Sequence, residues 1–145
     1  MITKIVHWGC RIFLAVIFIY AAYTKIENPL QFAAAIEAYK LLPPGIVIWV
    51  VDILPWLELG LGAAVLVGPL VRYTAASIAA FLAFFITVML ITYLRGIEAD
   101  CGCFGVGERI SPLTLIRDTS FMLPALFLFA QPWIEARGWL SRRMR

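Results

Sequence analysis

Long apolar runs, separated by short polar or glycine- and proline-containing segments, dominate the chain. They cover residues 5–23, 46–70, 73–94 and 113–133. An α-helix rises about 1.5 Å per residue, so roughly 20 residues cross a hydrocarbon core of about 30 Å. Because each run is long enough for one crossing, the pattern predicts an all-α integral membrane protein whose four spanning helices form a bundle. We expect a single domain over residues 1–145.

The segment between the first two runs has a helical pattern of its own. Asn28 and Pro29 are typical of a helix start, and Phe32, Ile36 and Tyr39 recur at helical spacing. These positions predict a short amphipathic extracytoplasmic helix between the first two spans. Most such helices are linkers packed on a bundle, although a lid over a site has the same pattern.

The composition agrees with a protein whose main solvent is lipid. Hydrophobic residues make up 63% of the chain and charged residues 14%, with a mean hydropathy of +0.92. Soluble domains average about 25% charged residues. The net charge of +3 does not indicate nucleic-acid binding, because the basic residues lie mainly between the runs and in the tail. No cleavage motif follows the first run, so we expect it to be retained as a span rather than removed as a signal peptide.

The distribution of basic residues predicts the orientation. If both termini lie on one side, that side carries seven lysines and arginines and the other side carries five. The positive-inside rule then places both termini in the cytoplasm. The seven are Lys4, Arg11, Arg72, Arg137, Arg142, Arg143 and Arg145, and the five are Lys25, Lys40, Arg95, Arg109 and Arg117.

The segment between the last two runs, RGIEADCGCFGVGERISP, carries the most reactive side chains. Cys101 and Cys103 flank Gly102 at an expected water boundary, on the face where disulfides persist. A disulfide across one residue closes a very small ring, and strain makes such a bond easier to reduce. We therefore expect a reducible disulfide with a redox role. Metal binding and a purely structural disulfide are the alternatives.

The third cysteine has a different environment. Cys10 lies near the opposite end of the first run and is expected to be a core residue. Near the cysteine pair, acidic residues should raise the thiol pKa values and arginines should lower them. The sequence leaves this balance open.

Charged residues inside the runs are costly in hydrocarbon and need partners. Arg11 and Glu58 have expected depths that differ by only about 3 Å, which suggests a buried ion pair. Alternatively, Arg11 extends toward the membrane surface while Glu58 is hydrogen-bonded or protonated. Asp52 and Arg117 form a second plausible pair nearer the outer face.

Aromatic residues occupy the same outer level. Trp56, Tyr20 and Tyr23 could join the charged residues in a partly aromatic, partly polar pocket under the cysteine pair. An interfacial aromatic belt is the alternative, and we favour it for Tyr23.

Several segments carry a resemblance to a known family. They are YAAYTKIENPLQFAAAIEAYKLLP, LPWLELGLGAAVLVG, RGIEADCGCFG and LIRD, in this order and at compatible separations. With these segments the chain resembles the methylamine-utilisation MauE family, within the DoxX-like group of small four-helix membrane proteins. The resemblance implies a bacterial cytoplasmic-membrane protein that supports disulfide chemistry or the maturation of periplasmic proteins, beside a thioredoxin-like partner.

The architecture is also similar to that of vitamin K epoxide reductase, which passes thiol electrons to a quinone. This chain has CxC where those enzymes use CxxC, and it lacks a second outer cysteine pair. A partner protein would therefore supply the electron relay.

Our leading hypothesis is a thiol-disulfide oxidoreductase that exchanges electrons between a periplasmic thioredoxin-like protein and a membrane quinone. Cys101 and Cys103 would carry the chemistry, and Trp56, Glu58 and Arg117 would shape the quinone pocket. The sequence does not assign the attacked cysteine, the direction of electron flow, the pathway or the oligomeric state. A non-enzymatic accessory factor for the maturation of periplasmic redox proteins is one alternative. Soft-metal handling by the paired thiolates is another.

Overall fold

Five helices make up the described part of the chain. The computed structural model describes the backbone of residues 2–104 and 108–143, and side chains within these ranges as far as residue 131. The helices are α1 (Ile2–Glu27), α2 (Pro29–Ala38), α3 (Pro44–Val67), α4 (Val71–Leu94) and α5 (Pro112–Arg143). By length and hydropathy, α1, α3, α4 and the Pro112–Gln131 part of α5 can each cross a membrane. The predicted all-α, four-span architecture is confirmed.

The outer surface of the bundle is apolar. Trp49, Phe84 and Leu123 are each about two-thirds exposed, and many other large apolar side chains share this exposure. A water-soluble monomer rarely leaves so much contiguous apolar surface open. These side chains contact lipid when the four helices span a membrane.

The boundaries of α3 follow from proline and glycine. Pro44 occupies the first turn, where its missing N–H costs nothing, and α3 ends at Val67 rather than at the predicted Leu70. Pro69 disfavours a helical conformation at Gly68, which instead adopts an extended conformation. A short turn therefore joins α3 to α4.

The short amphipathic helix predicted between the first two spans is α2. Its first residue is Pro29, and the three residues that predicted it, Phe32, Ile36 and Tyr39, are all buried. Asn28 occupies the N-cap position but makes no side-chain capping hydrogen bond. The buried face of α2, rather than its cap, therefore holds this helix against the bundle.

Two helix pairs, α1 with α3 and α4 with α5, form the most extensive contacts of the bundle. Gly62 allows the first pair to approach closely. A Cβ atom at this position would lie 3.0 Å from Ile19 Cγ1 and 3.2 Å from the Ala15 carbonyl oxygen. The close approach predicted from small residues is thus realised at Gly62, whereas Gly60 faces open space.

Arg11 binds the end of α3. Its guanidinium donates hydrogen bonds to the carbonyls of Val65 at 2.8 Å, Leu66 at 2.7 Å and Gly68 at 3.1 Å. The last carbonyls of a helix lack intrahelical partners, and a cation near them also complements the helix dipole. The predicted Arg11–Glu58 pair is therefore wrong. The expected depths assumed that the two antiparallel spans share the same membrane boundaries, whereas Arg11, well inside α1, lies beside the last turn of α3.

We predict that Arg11→Ala lowers the free energy of unfolding in detergent by about 2 kcal/mol, because it leaves buried carbonyls without a donor. Lys4→Ala, which removes an exposed cation from the same helix, is the matched control and should change little. Denaturant-induced unfolding monitored by circular dichroism measures both. Equal stability of the two variants would contradict the role of Arg11.

Candidate functional site

The cysteines lie in the segment between α4 and α5, residues 95–111, which we call the cysteine loop. The two sides of this loop pair in antiparallel fashion. The Cys101 N–H donates to the Glu108 carbonyl at 2.7 Å, and the Ile110 N–H donates to the Ala99 carbonyl at 3.0 Å. This pairing fixes the backbone of Cys101. Gly105 and Gly107, which contributed to the turn-rich pattern, lie outside the described residues.

Helix α2 covers the cysteine loop. Gly102 has a φ of 68°, a left-handed conformation that favours glycine, and an added Cβ would lie 3.3 Å from Ala35 Cβ. The Tyr39 hydroxyl donates to the Cys101 carbonyl at 2.7 Å. Glycine at position 102 therefore satisfies two demands, the turn between the cysteines and the close approach of α2.

Both cysteines are buried thiols in this structure. Cys101 is 1% exposed and Cys103 is 9% exposed. The expectation that the pair is open to water is wrong, because α2 packs over the turn at Gly102. The reducible disulfide remains a prediction.

Each thiol contacts its own carboxylate. Cys101 Sγ lies 3.5 Å from Glu108 Oε2, and Cys103 Sγ lies 3.7 Å from Asp118 Oδ2. Arg117 links the two acids, since it pairs with Glu108 through Nη1 and with Asp118 through Nε at 2.9 Å. Thiol, carboxylate, guanidinium, carboxylate and thiol thus form one continuous chain of contacts, which we call the thiol–carboxylate chain.

The two thiols differ in acidity. Hydrogen bonding from Cys103, through its side chain and then its backbone N–H, lowers the pKa of Cys101; the N–H lies 3.4 Å from Cys101 Sγ. The same side-chain interaction, together with burial, raises the pKa of Cys103. Cys103 Sγ also faces two oxygen acceptors, the Cys101 carbonyl and Asp118, each at 3.7 Å. The Cys101 thiol therefore loses its proton more readily than the Cys103 thiol.

A buried ion pair lies directly beneath the loop. Lys25 Nζ lies 2.8 Å from Glu58 Oε2 and 3.0 Å from Oε1, and it donates to the Cys103 carbonyl at 3.3 Å. Both side chains are almost fully buried. One ammonium group therefore joins α1, α3 and the cysteine loop.

Three cavities surround the loop. A cleft of about 420 Å³ lies between α2 and the loop, and its lining includes Lys25, Asp100 and Arg109. A small apolar cavity of about 40 Å³ below the loop contains Cys103 and Asp118. The third, of about 120 Å³, is an apolar groove formed by α2, α3, α4, Cys101 and Gly102. Its lining includes Phe32, Ile36, Leu54, Phe84, Phe85 and Val88.

Comparison with known proteins identifies the family of the chain. The sequence model of the family described as methylamine utilisation protein MauE matches residues 3–131. The chain belongs to the MauE family. It is 34% identical over 131 residues to methylamine utilization protein MauE of Paracoccus denitrificans, with 88% of this chain and 69% of that protein covered. It is 36% identical over 132 residues to the protein of the same name from Methylophilus methylotrophus, with 88% and 68% covered. No solved structure matches the chain.

The structure of this MauE-family protein brings some of the predicted site residues together. Cys101, Cys103, Glu58 and Arg117 cluster at one end of the bundle, which we call the cysteine end. Trp56 does not join them, because its side chain is 64% exposed on the outer surface of α3.

The other sequence-based expectations have mixed outcomes. The proposed Asp52–Arg117 pair is wrong, since Asp52 is exposed and Arg117 binds the acids of the thiol–carboxylate chain. Cys10 packs against the core of the bundle, as expected. Tyr20 stacks on Phe104 of the loop at a ring-centroid distance of 6.1 Å, and Tyr23 is exposed.

Sequence reasoning missed the functional contacts of Lys25, Glu108, Asp118 and Tyr39. The sequence indicates that Glu58 needs a partner, but Lys25 lies beyond the end of the first apolar run. The structure places Lys25 in the last turn of α1. The signal for Lys25 is its position, because a lysine at the end of a span can bend back one turn as well as extend outward. Lys25 Nζ indeed lies 3.3 Å from the Ala21 carbonyl oxygen, one turn earlier.

We predict that Lys25→Met and Glu58→Met each destabilise the protein by about 3–5 kcal/mol, because each leaves an uncompensated buried charge. The double variant should be more stable than either single variant, since it removes both charges. Unfolding in detergent measures all three, with Lys40→Met, which removes an exposed cation, as control. Additive losses in the double variant would show that the two charges do not depend on each other.

Proposed function

We propose that this protein is a membrane thiol-disulfide oxidoreductase that exchanges electrons between a thioredoxin-like protein and a quinone through Cys101 and Cys103. One observation carries the proposal. The more acidic thiol, Cys101, lines an apolar groove, while its neighbour Cys103 keeps a proton beside a carboxylate. A thiol that readily ionises, beside a second thiol that can resolve a mixed disulfide, is the arrangement that thiol-disulfide exchange requires.

The reaction balances in two stages. In the first, a partner dithiol reduces the Cys101–Cys103 disulfide: a partner thiolate attacks Cys101, Cys103 leaves and gains a proton, and the second partner thiol releases Cys101 and closes the partner disulfide. In the second, the dithiol transfers two electrons and two protons to the quinone and becomes a disulfide again. The quinone is thereby reduced to a quinol.

The apolar groove is the proposed quinone site. It is bordered by aromatic rings of α2 and α4 and reaches Cys101, so a quinone ring in it would lie against the reactive sulfur. Arg117 contacts Glu108 and Asp118, and Glu58 contacts Lys25. Neither residue lines the groove, so both act through the loop in this proposal. Trp56 faces outward and has no part in it.

The distribution of lysines and arginines, together with the family, supports a location for the proposed exchange. We place the protein in a bacterial inner membrane with both termini in the cytoplasm. The cysteine end then faces the periplasm. Relatives bear the name methylamine utilization protein. A role in methylamine utilisation, through the disulfide chemistry of periplasmic proteins, is therefore part of the proposal.

A non-enzymatic accessory role has one observation in its favour. Both cysteines are buried, as in a structural clip. In the redox proposal α2 has to move to admit the partner, whereas in a clip it does not. Assays of electron transfer separate the two functions.

We expect the purified, detergent-solubilised protein to reduce a short-chain quinone with a dithiol as electron donor. Cys101→Ser and Cys103→Ser should each lower the rate to the uncatalysed background, because a disulfide needs both sulfurs. Cys10→Ser is the matched control and should retain the wild-type rate, since Cys10 lies toward the opposite end of α1. If neither loop variant loses activity, the redox function is contradicted.

We also expect Cys103→Ser to accumulate a mixed disulfide between Cys101 and its partner protein in cells, because the resolving thiol is missing. Cys101→Ser should yield none. Nonreducing electrophoresis after acid quenching and alkylation in denaturant measures the adduct. An adduct that forms on Cys103 alone would reverse the assignment of the attacked cysteine.

A further inference from the structure

The thiol–carboxylate chain gives each reacting sulfur a separate proton acceptor. Glu108 Oε2 lies 3.5 Å from Cys101 Sγ, and Asp118 Oδ2 lies 3.7 Å from Cys103 Sγ. In each acid, the other oxygen binds Arg117. One oxygen of each carboxylate is thus held by the guanidinium, and the second is directed at a sulfur.

The two carboxylates differ in their surroundings. The Glu108 side chain is partly exposed, whereas that of Asp118 is almost fully buried. Asp118 also lines the small cavity below the loop, together with Cys103, Lys25 and Glu58. A proton on Glu108 can pass to water, while a proton on Asp118 stays beside the pair.

We propose that Glu108 and Asp118 are catalytic bases in the oxidation of the dithiol, with Glu108 serving the attack by Cys101 and Asp118 serving ring closure by Cys103. The inference rests on the proposed redox function, but it concerns the exchange at the sulfurs and requires neither the quinone nor the partner protein. Arg117 is a positioning residue, because it contacts the acids and not the sulfurs.

With a small disulfide as oxidant the steps balance as follows. Cys101 passes its proton to Glu108 Oε2 and attacks one sulfur of the disulfide, whose S–S bond breaks and releases a thiolate. Cys103 then passes its proton to Asp118 Oδ2 and attacks the Cys101 sulfur, releasing the second thiolate. Two protein thiols are oxidised, one disulfide is reduced, and the two protons end on the two released thiols.

A purely electrostatic role for Asp118 has the opposite consequence. A negative charge beside a thiol disfavours the thiolate, so that removal of the charge should increase the thiolate population and speed attack. Loss of a base slows attack although the thiolate is no less stable. Lys25, which faces the Cys103 backbone from α1, remains in place in both cases.

The test reacts the reduced protein in detergent with 2-hydroxyethyl disulfide, a small uncharged oxidant, and follows acid-quenched samples by mass spectrometry. Asp118→Asn should form the Cys101 adduct at the wild-type rate but close the ring on the order of 100-fold more slowly, so the adduct accumulates. Glu108→Gln should instead slow adduct formation. Glu98→Gln, which changes an exposed acid of the same loop that contacts no sulfur, is the control.

Two further measurements test the assignment, and the first uses the wild-type protein, so it does not depend on the folding of any variant. Ring closure in the wild-type protein should be slower in heavy water, and thiolate absorbance in Asp118→Asn should not fall while its closure rate does. Asp118→Asn with wild-type or faster closure overturns the base assignment, as does a reversal of the two kinetic defects. Normal exchange without quinone reduction would leave the bases in place and refute the oxidoreductase function. A wild-type pair that does not exchange at all would refute both.

Discussion

The cysteine end depends on a single buried ammonium group. Lys25 extends from the last turn of α1, pairs with Glu58 of α3 and donates to the backbone carbonyl of Cys103. A charge inside an apolar bundle is tolerated only with a well-matched partner, so the two helices and the loop are held in one arrangement. Gly62 has a related role farther along the same interface, because the close approach of α1 and α3 aligns the two charged residues.

The arrangement of charge around the sulfurs follows from where each acid is held. Arg117 binds both carboxylates and also lies over the ring of Phe104, with its Cζ atom 4.8 Å from the ring centroid. The guanidinium therefore offsets the negative charge that would otherwise suppress both thiolates. Cys103 then distinguishes the two thiols, since its side chain and its N–H both hydrogen-bond to Cys101 and lower the pKa of that thiol. Thiol acidity here depends on the turn between the cysteines as well as on the charged side chains.

The sequence was most informative about the local structure of single segments and least informative about which residues pair across the bundle. Apolar runs predicted the four spans, and the spacing of Phe32, Ile36 and Tyr39 predicted α2, because both patterns depend on local geometry. Arg11 was paired with the wrong group because depth along one helix does not determine the vertical offset between two helices. The cysteine pair was found from residue type alone. The contacts of Glu108 and Asp118 with the sulfurs depend on the fold of the loop and on the first turns of α5, which spacing does not reveal.

Helix α2 has a consequence for the chemical environment of the cysteine pair. Phe32, Ala35 and Tyr39 cover the turn at Gly102, so the sulfurs are screened from the surrounding solution. Among the residues that the structure describes, Cys101 is 1% exposed beneath α2, and the apolar groove that it lines suits a small apolar molecule better than a large charged thiol such as glutathione. In the proposed redox function the pair would therefore exchange electrons with molecules that displace α2 or enter the groove, rather than with the ambient redox buffer.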